Sequence, residues 1–152
     1  MNKNVGDPIS TESLEAISTC ACFNLRKATR VVTQYFDSVL KPSGLLITQF
    51  SILTAIARVE AASINELAEI LVMDRTTLTR NLKPLEREGW IASQPGQDRR
   101  TRTVSLTSKG KTALAKAIPL WQQAQDNLVK ALGQQKWSFL LSSLTETTTL
   151  IH

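Results

Sequence analysis

The side chains of this chain that could do chemistry are arginines, lysines and threonines gathered in two short segments. The first is a helix-like stretch whose outward set is Arg75, Thr76, Thr77, Thr79, Arg80 and Lys83. The second is the run Asp98-Arg99-Arg100-Thr101-Arg102. An arginine can bond the edge of guanine with two parallel hydrogen bonds, and a threonine offers a hydroxyl and a methyl group to phosphate or thymine. These residue types therefore predict contact with double-stranded DNA.

The net charge of the 152-residue chain is +5, and its placement supports a polyanionic partner. Nine basic and four acidic residues lie between Asp74 and Lys111, so this segment carries the whole excess and the rest of the chain is neutral on balance. A localised basic excess is typical of a nucleic-acid-binding surface. Composition does not separate such a surface from a solvated basic face that has no partner.

Two short helices with clear capping signals are predicted around the first basic segment. Ser63 and Glu66 form a capping box that opens one helix, and Asp74 caps the next, which ends at Gly89. The inner face of the second helix carries three leucines, Leu78, Leu82 and Leu85. Pro84 lies inside this helix and should bend it. Two capped helices joined by a tight turn predict a helix-turn-helix whose second helix reads DNA.

A basic β-hairpin is predicted after this helix pair. Its strands are Trp90–Ser93 and Arg102–Leu106, and residues 94–98 supply glycine, proline and aspartate for the turn. The arginines at the tip repel one another, and Asp98 can pin one of them by a salt bridge. Arginine on a narrow tip suits the minor groove, where the negative potential of DNA is concentrated.

Long helices are predicted on both sides of these elements. The first begins at a Thr11 cap and runs to about Leu40, and Thr48 caps the helix that follows. Thr107 or Ser108 caps another long helix, which Pro119 should kink, and a last helix follows Gly133. The apolar stripe of the first helix, residues 14–39, is too long to be buried within a small lobe. We therefore expect it to pack on a second long helix or on a second chain.

Several other classes of protein are disfavoured. The sole histidine is His152 and no glycine-rich phosphate loop is present, so an enzyme, a cofactor and a metal site are not expected. No apolar run approaches the roughly 20 residues that a membrane-spanning helix needs. The amino terminus has no apolar segment typical of a signal peptide. We expect a cytoplasmic protein that does not enter a membrane.

The sequence resembles the MarR family of bacterial transcriptional regulators from about Ala16 to Leu150. The resemblance depends on residues 74–82, on residues 85–89, and on Asp98-x-Arg100 followed by Leu106-Thr107-x-x-Gly110. It implies a mainly α fold with a small β-hairpin wing, in which 1–152 form one MarR-type domain. Residues 46–110 would be the winged helix-turn-helix lobe, and residues 11–41 and 112–151 the dimerisation helices.

The resemblance also implies a function. Members of the family are two-fold homodimers that bind a short palindromic operator, usually as repressors released by a small ligand or an oxidant. By position, Arg75 through Lys83 correspond to the major-groove set. Arg100 corresponds to the arginine at the wing tip, and Asp98 to the residue that orients it; Arg99 and Arg102 flank it.

Two cysteines, Cys20 and Cys22, lie on the predicted first helix. Residues two apart project about 200° from each other on an intact helix, so these two thiols could not bond there. Cys22 aligns with the reactive cysteine of the organic-hydroperoxide sensors of the family. Phe36 and Ile47 stand where those sensors carry two supporting tyrosines. Peroxide sensing, another route of oxidation, an aromatic ligand under the long helix, and simple packing of small thiols remain alternatives.

One alternative function is kept beside the operator-binding repressor. An architectural winged helix that binds DNA through phosphates without choosing among sequences would also be basic. A sequence reader binds its own operator far better than random duplex at the same salt concentration, whereas an architectural protein binds both equally.

Overall fold

A computed structural model describes residues 9–96 and 101–151. The described residues form seven α-helices and three strands, in the order α1 Thr11–Ser18, α2 Ala21–Leu40, α3 Ile47–Val59, β1 Ala61–Ser63, α4 Ile64–Leu71, α5 Arg75–Arg87, β2 Ile91–Pro95, β3 Arg102–Leu106, α6 Ser108–Leu132 and α7 Gln134–Ile151. The fold is therefore mainly α with a small antiparallel sheet, as the sequence predicted. Contacts divide the chain into two compact units at the Tyr35–Phe36 junction.

The first unit contains a break that the sequence analysis missed. One helix from Thr11 to Leu40 was predicted, but α1 ends at Ser18 and α2 begins at Ala21. The hydroxyls of Ser18 and Thr19 donate to the carbonyls of Glu15 and Ala16, at 2.6 and 2.8 Å, and such local bonds compete with helix continuation. The Asn24 side chain then donates to the Ser18 and Cys20 carbonyls, at 2.8 and 2.9 Å, and so bridges the break.

Two predicted helix caps are also wrong, and in each case another side chain takes the role. Ser10, not Thr11, caps α1, since its hydroxyl accepts the Ser13 N–H at 3.1 Å. The helix after α2 begins at Ile47, so Thr48 lies inside it. The Ile47 N–H donates to the Asp37 carboxylate at 2.7 Å, a partner ten residues away in sequence.

The second unit is organised around one apolar core. Its fully buried side chains come from α2, α3, α4, α5, β3 and the loop before α3: Leu40, Leu45, Ile52, Leu53, Ile56, Leu67, Leu78, Leu85 and Val104. Phe50 on α3 stacks on Trp121 on α6 with ring centroids 5.9 Å apart. This core fixes α5 and the sheet in one frame, which is what a two-point contact with a ligand requires.

The sheet has the order β1-β3-β2 and is antiparallel throughout. Strand β3 has the predicted bounds, whereas β1 was not predicted. It forms because Ala62 pairs with Val104, more than forty residues later in the chain. Strand β2 continues beyond the predicted end at Ser93, since Gln94 pairs with Thr103 and Pro95 with Arg102.

Helices α6 and α7 follow the sheet, separated by Gly133 as predicted. Thr107 caps α6, and this helix continues through Pro119, as α5 continues through Pro84; whether either proline bends its helix stays a prediction. Within the two described ranges, no single helix is both long and apolar enough to cross a bilayer. The segments Ala21–Ser43 and Ile47–Val59 pass the same test of length and hydropathy only when they are taken together, and they are bent by 72° at the break between them.

Candidate nucleic-acid interface

The candidate interface is built on α5, whose inner face is fixed by three leucines. Leu78 and Leu85 are fully buried and Leu82 is 4% exposed. Full burial of a leucine side chain stabilises the folded state by roughly 1.5–3 kcal/mol. The three together therefore hold the rotation of α5 firmly and determine which residues face outward.

All six residues predicted on the outer face of α5 are exposed: Arg75, Thr76, Thr77, Thr79, Arg80 and Lys83. At about 100° per residue, Thr76 and Arg80 lie roughly 150° from the centre of the leucine stripe. Arg75 lies only roughly 50° from that centre. Thr76, Arg80 and Lys83 thus form the outward face proper, and Arg75 lies on its flank.

The amino end of α5 is held by Asp74. Its carboxylate accepts the Thr77 N–H at 2.9 Å and the Thr77 hydroxyl at 2.5 Å. These bonds, that of the hydroxyl first, hold the pKa of the Asp74 carboxyl below its usual value. The carboxylate therefore stays ionised at neutral pH. A negative charge at a helix amino terminus is also stabilised by the helix dipole.

The carboxyl end of α5 is tied to the hairpin and to α6. The Ser93 hydroxyl donates to the Glu86 carboxylate, which joins β2 to α5. Lys109 Nζ donates to the Glu88 carbonyl at 2.6 Å, and the Thr107 hydroxyl donates to the Gly89 carbonyl at 2.6 Å. The reading helix and the root of the hairpin therefore keep a fixed relation to each other.

The hairpin presents Arg102, which is exposed and lies opposite Pro95 at the end of β3. One further bond, from the Gly96 N–H to the Thr101 carbonyl at 2.7 Å, continues the pairing toward the tip. The remaining residues predicted at the tip, Asp98, Arg99 and Arg100, lie outside the described residues. Their role in binding stays a prediction.

The structure brings Arg75 and Arg102 together, although they come from different elements. Both line a cavity of about 160 Å³ with Ser63, Ile64, Asn65 and Thr101. The sequence identified both arginines as candidate DNA contacts. It gave no reason to single out Asn65, which belongs to no basic motif and is placed beside them by the pairing of β1 with β3.

The two cysteines lie at the start of α2, and both are exposed and unbonded. Cys20 precedes α2, and its carbonyl accepts the Asn24 N–H at 3.1 Å, so it occupies the cap position. Cys22 is the second residue of α2. The two thiols are therefore not on one intact helix, and the geometric argument against their pairing does not apply to this structure.

A leucine-backed helix with an outward basic face, preceded by a capped helix and followed by a basic hairpin, defines a winged helix-turn-helix DNA-binding protein. The model of the MarR family matches residues 45–101. An HTH-type transcriptional regulator of Bacillus cereus is 33% identical over 103 residues, which are 68% of this chain and 69% of the relative. The chain belongs to the MarR family of transcriptional regulators.

Solved structures agree with this assignment. The M. tuberculosis transcriptional regulator MosR in complex with DNA is 37% identical with a TM-score of 0.77, over 86% of this chain and 97% of that chain. The transcriptional repressor CouR bound to a 23-mer DNA duplex is 27% identical with a TM-score of 0.79, over 93% of this chain and 99% of that chain. The fold and the family predicted from sequence are confirmed.

Proposed function

We propose that this MarR-family regulator is a homodimeric repressor that binds a short palindromic operator. The observation that carries the proposal is the outward face of α5, where Thr76, Arg80 and Lys83 are exposed opposite a buried leucine stripe. Helix residues of these types can bond base edges in the major groove, while phosphate-only binding needs no such set. The DNA complexes of MosR and CouR support the same use of the lobe.

Exposed apolar side chains support the dimer. Leu14, Ile17, Leu25 and Val32 of the first predicted stripe are 39–59% exposed in the single chain. Helix α7 also exposes large apolar side chains, namely Phe139, Leu140, Leu141, Leu144, Leu150 and Ile151. Apolar area on this scale favours association, and two reading helices about one helical turn of DNA apart give useful specificity.

Release from DNA is proposed to follow oxidation of Cys22 or Cys20, or binding of a small aromatic ligand. The exposure of both thiols supports oxidation. A cavity of about 650 Å³ between α3, β3 and α6 supports the ligand. Leu106, Leu114 and Ile118 give this cavity an apolar lining and Lys111 gives it a cation, and its volume suits a small molecule.

The proposal is tested by selecting bound fragments from the source genome and then measuring affinity by fluorescence anisotropy. At fixed salt, the selected duplex should bind about 10³-fold or more tightly than random duplex. Replacing Arg80 with alanine should reduce that ratio about tenfold or more, because an arginine–base contact contributes about 1–3 kcal/mol of discrimination.

The matched control is Lys116→Ala, which removes one positive charge from an exposed position of α6. It should leave the ratio unchanged. Equal binding of selected and random duplex by the wild type would instead favour an architectural protein. Absence of binding to any duplex would end the proposal.

A further inference from the structure

We propose that the cavity of about 650 Å³ between α3, β3 and α6 binds an amino acid with an aromatic side chain, a ligand that carries both an ammonium and a carboxylate group. The inference rests on the proposed function and deepens it, since it names the chemical class of the ligand that releases DNA. It depends on the charged residues of the cavity wall, which distinguish this ligand from an aromatic molecule of any other charge.

The apolar part of the cavity suits a side chain of aromatic size. Five lining residues are apolar: Ala57 on α3, Leu106 at the end of β3, and Leu114, Ala115 and Ile118 on α6. Ile118 is about half exposed in the single chain, so a ligand that covers it removes apolar surface from water. The volume lies within the range of about 300–1,000 Å³ that is typical of small-molecule sites.

Three polar residues also line the cavity, namely Glu60, Ser105 and Lys111. Their carboxylate, hydroxyl and ammonium groups have no hydrogen bond or ion pair with any other residue in the ranges 9–96 and 101–151. Because the two opposite charges line one cavity without pairing, a ligand with both charges can pair with each of them. A ligand with only a carboxylate would be attracted by Lys111 and repelled by Glu60.

The backbone of Glu60 provides a second, independent observation. Glu60 ends α3 with φ 60° and ψ −48°, and a positive φ is uncommon for a residue with a side chain. Such conformations persist where the surrounding structure holds them, and they cluster at ligand-binding sites. Here the next residue, Ala61, pairs with Ser105 of β3. The sheet therefore fixes the position of Glu60 beside Ser105 on the cavity wall.

Lys111 is positioned by the start of α6. Thr107 caps this helix, and its carbonyl accepts the Lys111 N–H at 2.9 Å. The neighbouring Lys109 is already occupied, because its ammonium donates to the Glu88 carbonyl at 2.6 Å. The Lys111 ammonium is therefore the cation that this end of α6 can offer to a carboxylate in the cavity.

The elements around the cavity explain how such a ligand would change DNA binding. Leu106 ends β3, the strand that returns from the wing, and α3 packs in the same core as the leucines of α5. A ligand that fits one arrangement of these elements better than another shifts the population toward it. The coupling is reciprocal, so the ligand and the operator must weaken each other's binding by the same factor.

The test is isothermal titration of the full chain without DNA. L-phenylalanine, L-tyrosine and L-tryptophan are titrated, and the tightest is compared with its analogue without the ammonium and its analogue without the carboxylate. The amino acid should bind about tenfold or more tightly than either analogue, since each analogue loses one charge-assisted bond.

Three variants assign the two charges. Lys111→Gln should weaken the amino acid about tenfold and leave the analogue without the carboxylate unchanged. Glu60→Gln should weaken the amino acid to a similar extent and leave the analogue without the ammonium equal or tighter. Lys116→Gln, at an exposed position of α6 outside the cavity, is the matched control and should bind all ligands like the wild type. Glu60 and Lys111 are exposed, so their variants should keep the wild-type unfolding temperature.

A second measurement links the cavity to DNA. The amino acid should lower operator affinity, and the operator should lower the affinity for the amino acid by the same factor. Ala115→Phe places a ring on the cavity wall and should abolish the response. Failure of all three amino acids to bind, tighter binding of the analogue without the ammonium, or binding with no change in operator affinity would overturn the inference while leaving operator binding intact. No duplex binding by the wild type without ligand would instead end the proposed function.

Discussion

At the scale of single residues, the three threonines of α5 differ in what their hydroxyl groups can still donate. The Thr77 hydroxyl donates to Asp74, and the Thr79 hydroxyl donates to the Arg75 carbonyl at 2.8 Å. The Thr76 hydroxyl has no partner in the described part of the chain. Thr77 and Thr79 can therefore only accept from a ligand, whereas Thr76 can donate and accept. Thr76 and Arg80 are the better candidates for reading bases.

The cysteine predictions also belong to this scale. If thiol oxidation releases the operator through Cys22, a hydroperoxide should abolish wild-type binding, and Cys22→Ser should bind equally well with and without it. The physical reason is that an oxidised sulfur adds polar bulk at the start of a helix that carries an exposed apolar stripe. Anisotropy titrations before and after oxidation, with thiol counting, provide the measurement.

Cys20→Ser is the matched control, because serine is a good residue for the cap position that Cys20 occupies. It should remain sensitive to the oxidant. If Cys20→Ser alone becomes resistant, the sensing thiol is Cys20. If the double variant is still released, oxidation of these thiols is not the signal, and the aromatic ligand remains.

At the scale of elements, the sequence predicted the helix ends that are fixed by side chains close by in the chain. The caps at Ser63, Asp74 and Thr107 each bond a backbone N–H three residues along, so a short window contains both partners. Strand β1 could not be predicted in this way, because Ala62 has no strand signal apart from its pairing with Val104. The start of α3 was misplaced for the same reason, since Asp37 lies outside the window.

The residues of the candidate site also differ in whether local sequence could predict them. The outward residues of α5 follow from helix periodicity and from the leucine stripe, so sequence reasoning found them. The grouping of Asn65, Arg75 and Arg102 depends on how α4, α5 and β3 are packed, and no spacing in the sequence reports it. Because the pairing of β1 with β3 brings these elements together, only the folded structure could reveal the cavity.

The junction of the wing and α6 gives a prediction at this scale. Gly110 lies so close to the hairpin that an added Cβ would be 1.9 Å from the Trp90 carbonyl oxygen and 2.8 Å from its carbon. Backbone atoms cannot move aside as a side chain can. Gly110→Ala should therefore lower the free energy of unfolding by about 3 kcal/mol, measured by urea denaturation, and weaken operator binding.

Two further variants give reference values for the loss in free energy of unfolding expected of Gly110→Ala. Thr107→Ala removes the cap that accepts the Gly110 N–H at 3.0 Å, and should cost about 1–2 kcal/mol. Ser108→Ala, at the exposed first residue of α6, should change stability by less than about 0.5 kcal/mol. A Gly110→Ala protein as stable as Ser108→Ala would show that the close approach of α6 to Trp90 is not present in solution.

At the scale of the whole molecule, the proposed two-fold symmetry would link the exposed apolar helices to the reading helix. A two-fold dimer presents the same α5 face twice, and a palindrome presents the same half-site twice. A single lobe contacts only a few base pairs, so a monomer would bind weakly and with little selectivity. Loss of the dimer should therefore greatly reduce operator affinity, even where the fold of the single chain is little changed.

Leu25→Glu tests this link, because Leu25 lies on the α2 stripe and is 42% exposed in the single chain. The charge should oppose burial of the stripe against a second chain without disturbing the core. Light scattering should show a wild-type dimer and a Leu25→Glu monomer, and operator affinity should fall about 100-fold or more, since one of two half-site contacts is lost. Gln34→Glu adds the same charge to the opposite, exposed face of α2 and should remain dimeric. A monomeric wild type would contradict the proposed assembly, and a dimeric Leu25→Glu protein would remove the α2 stripe from the interface.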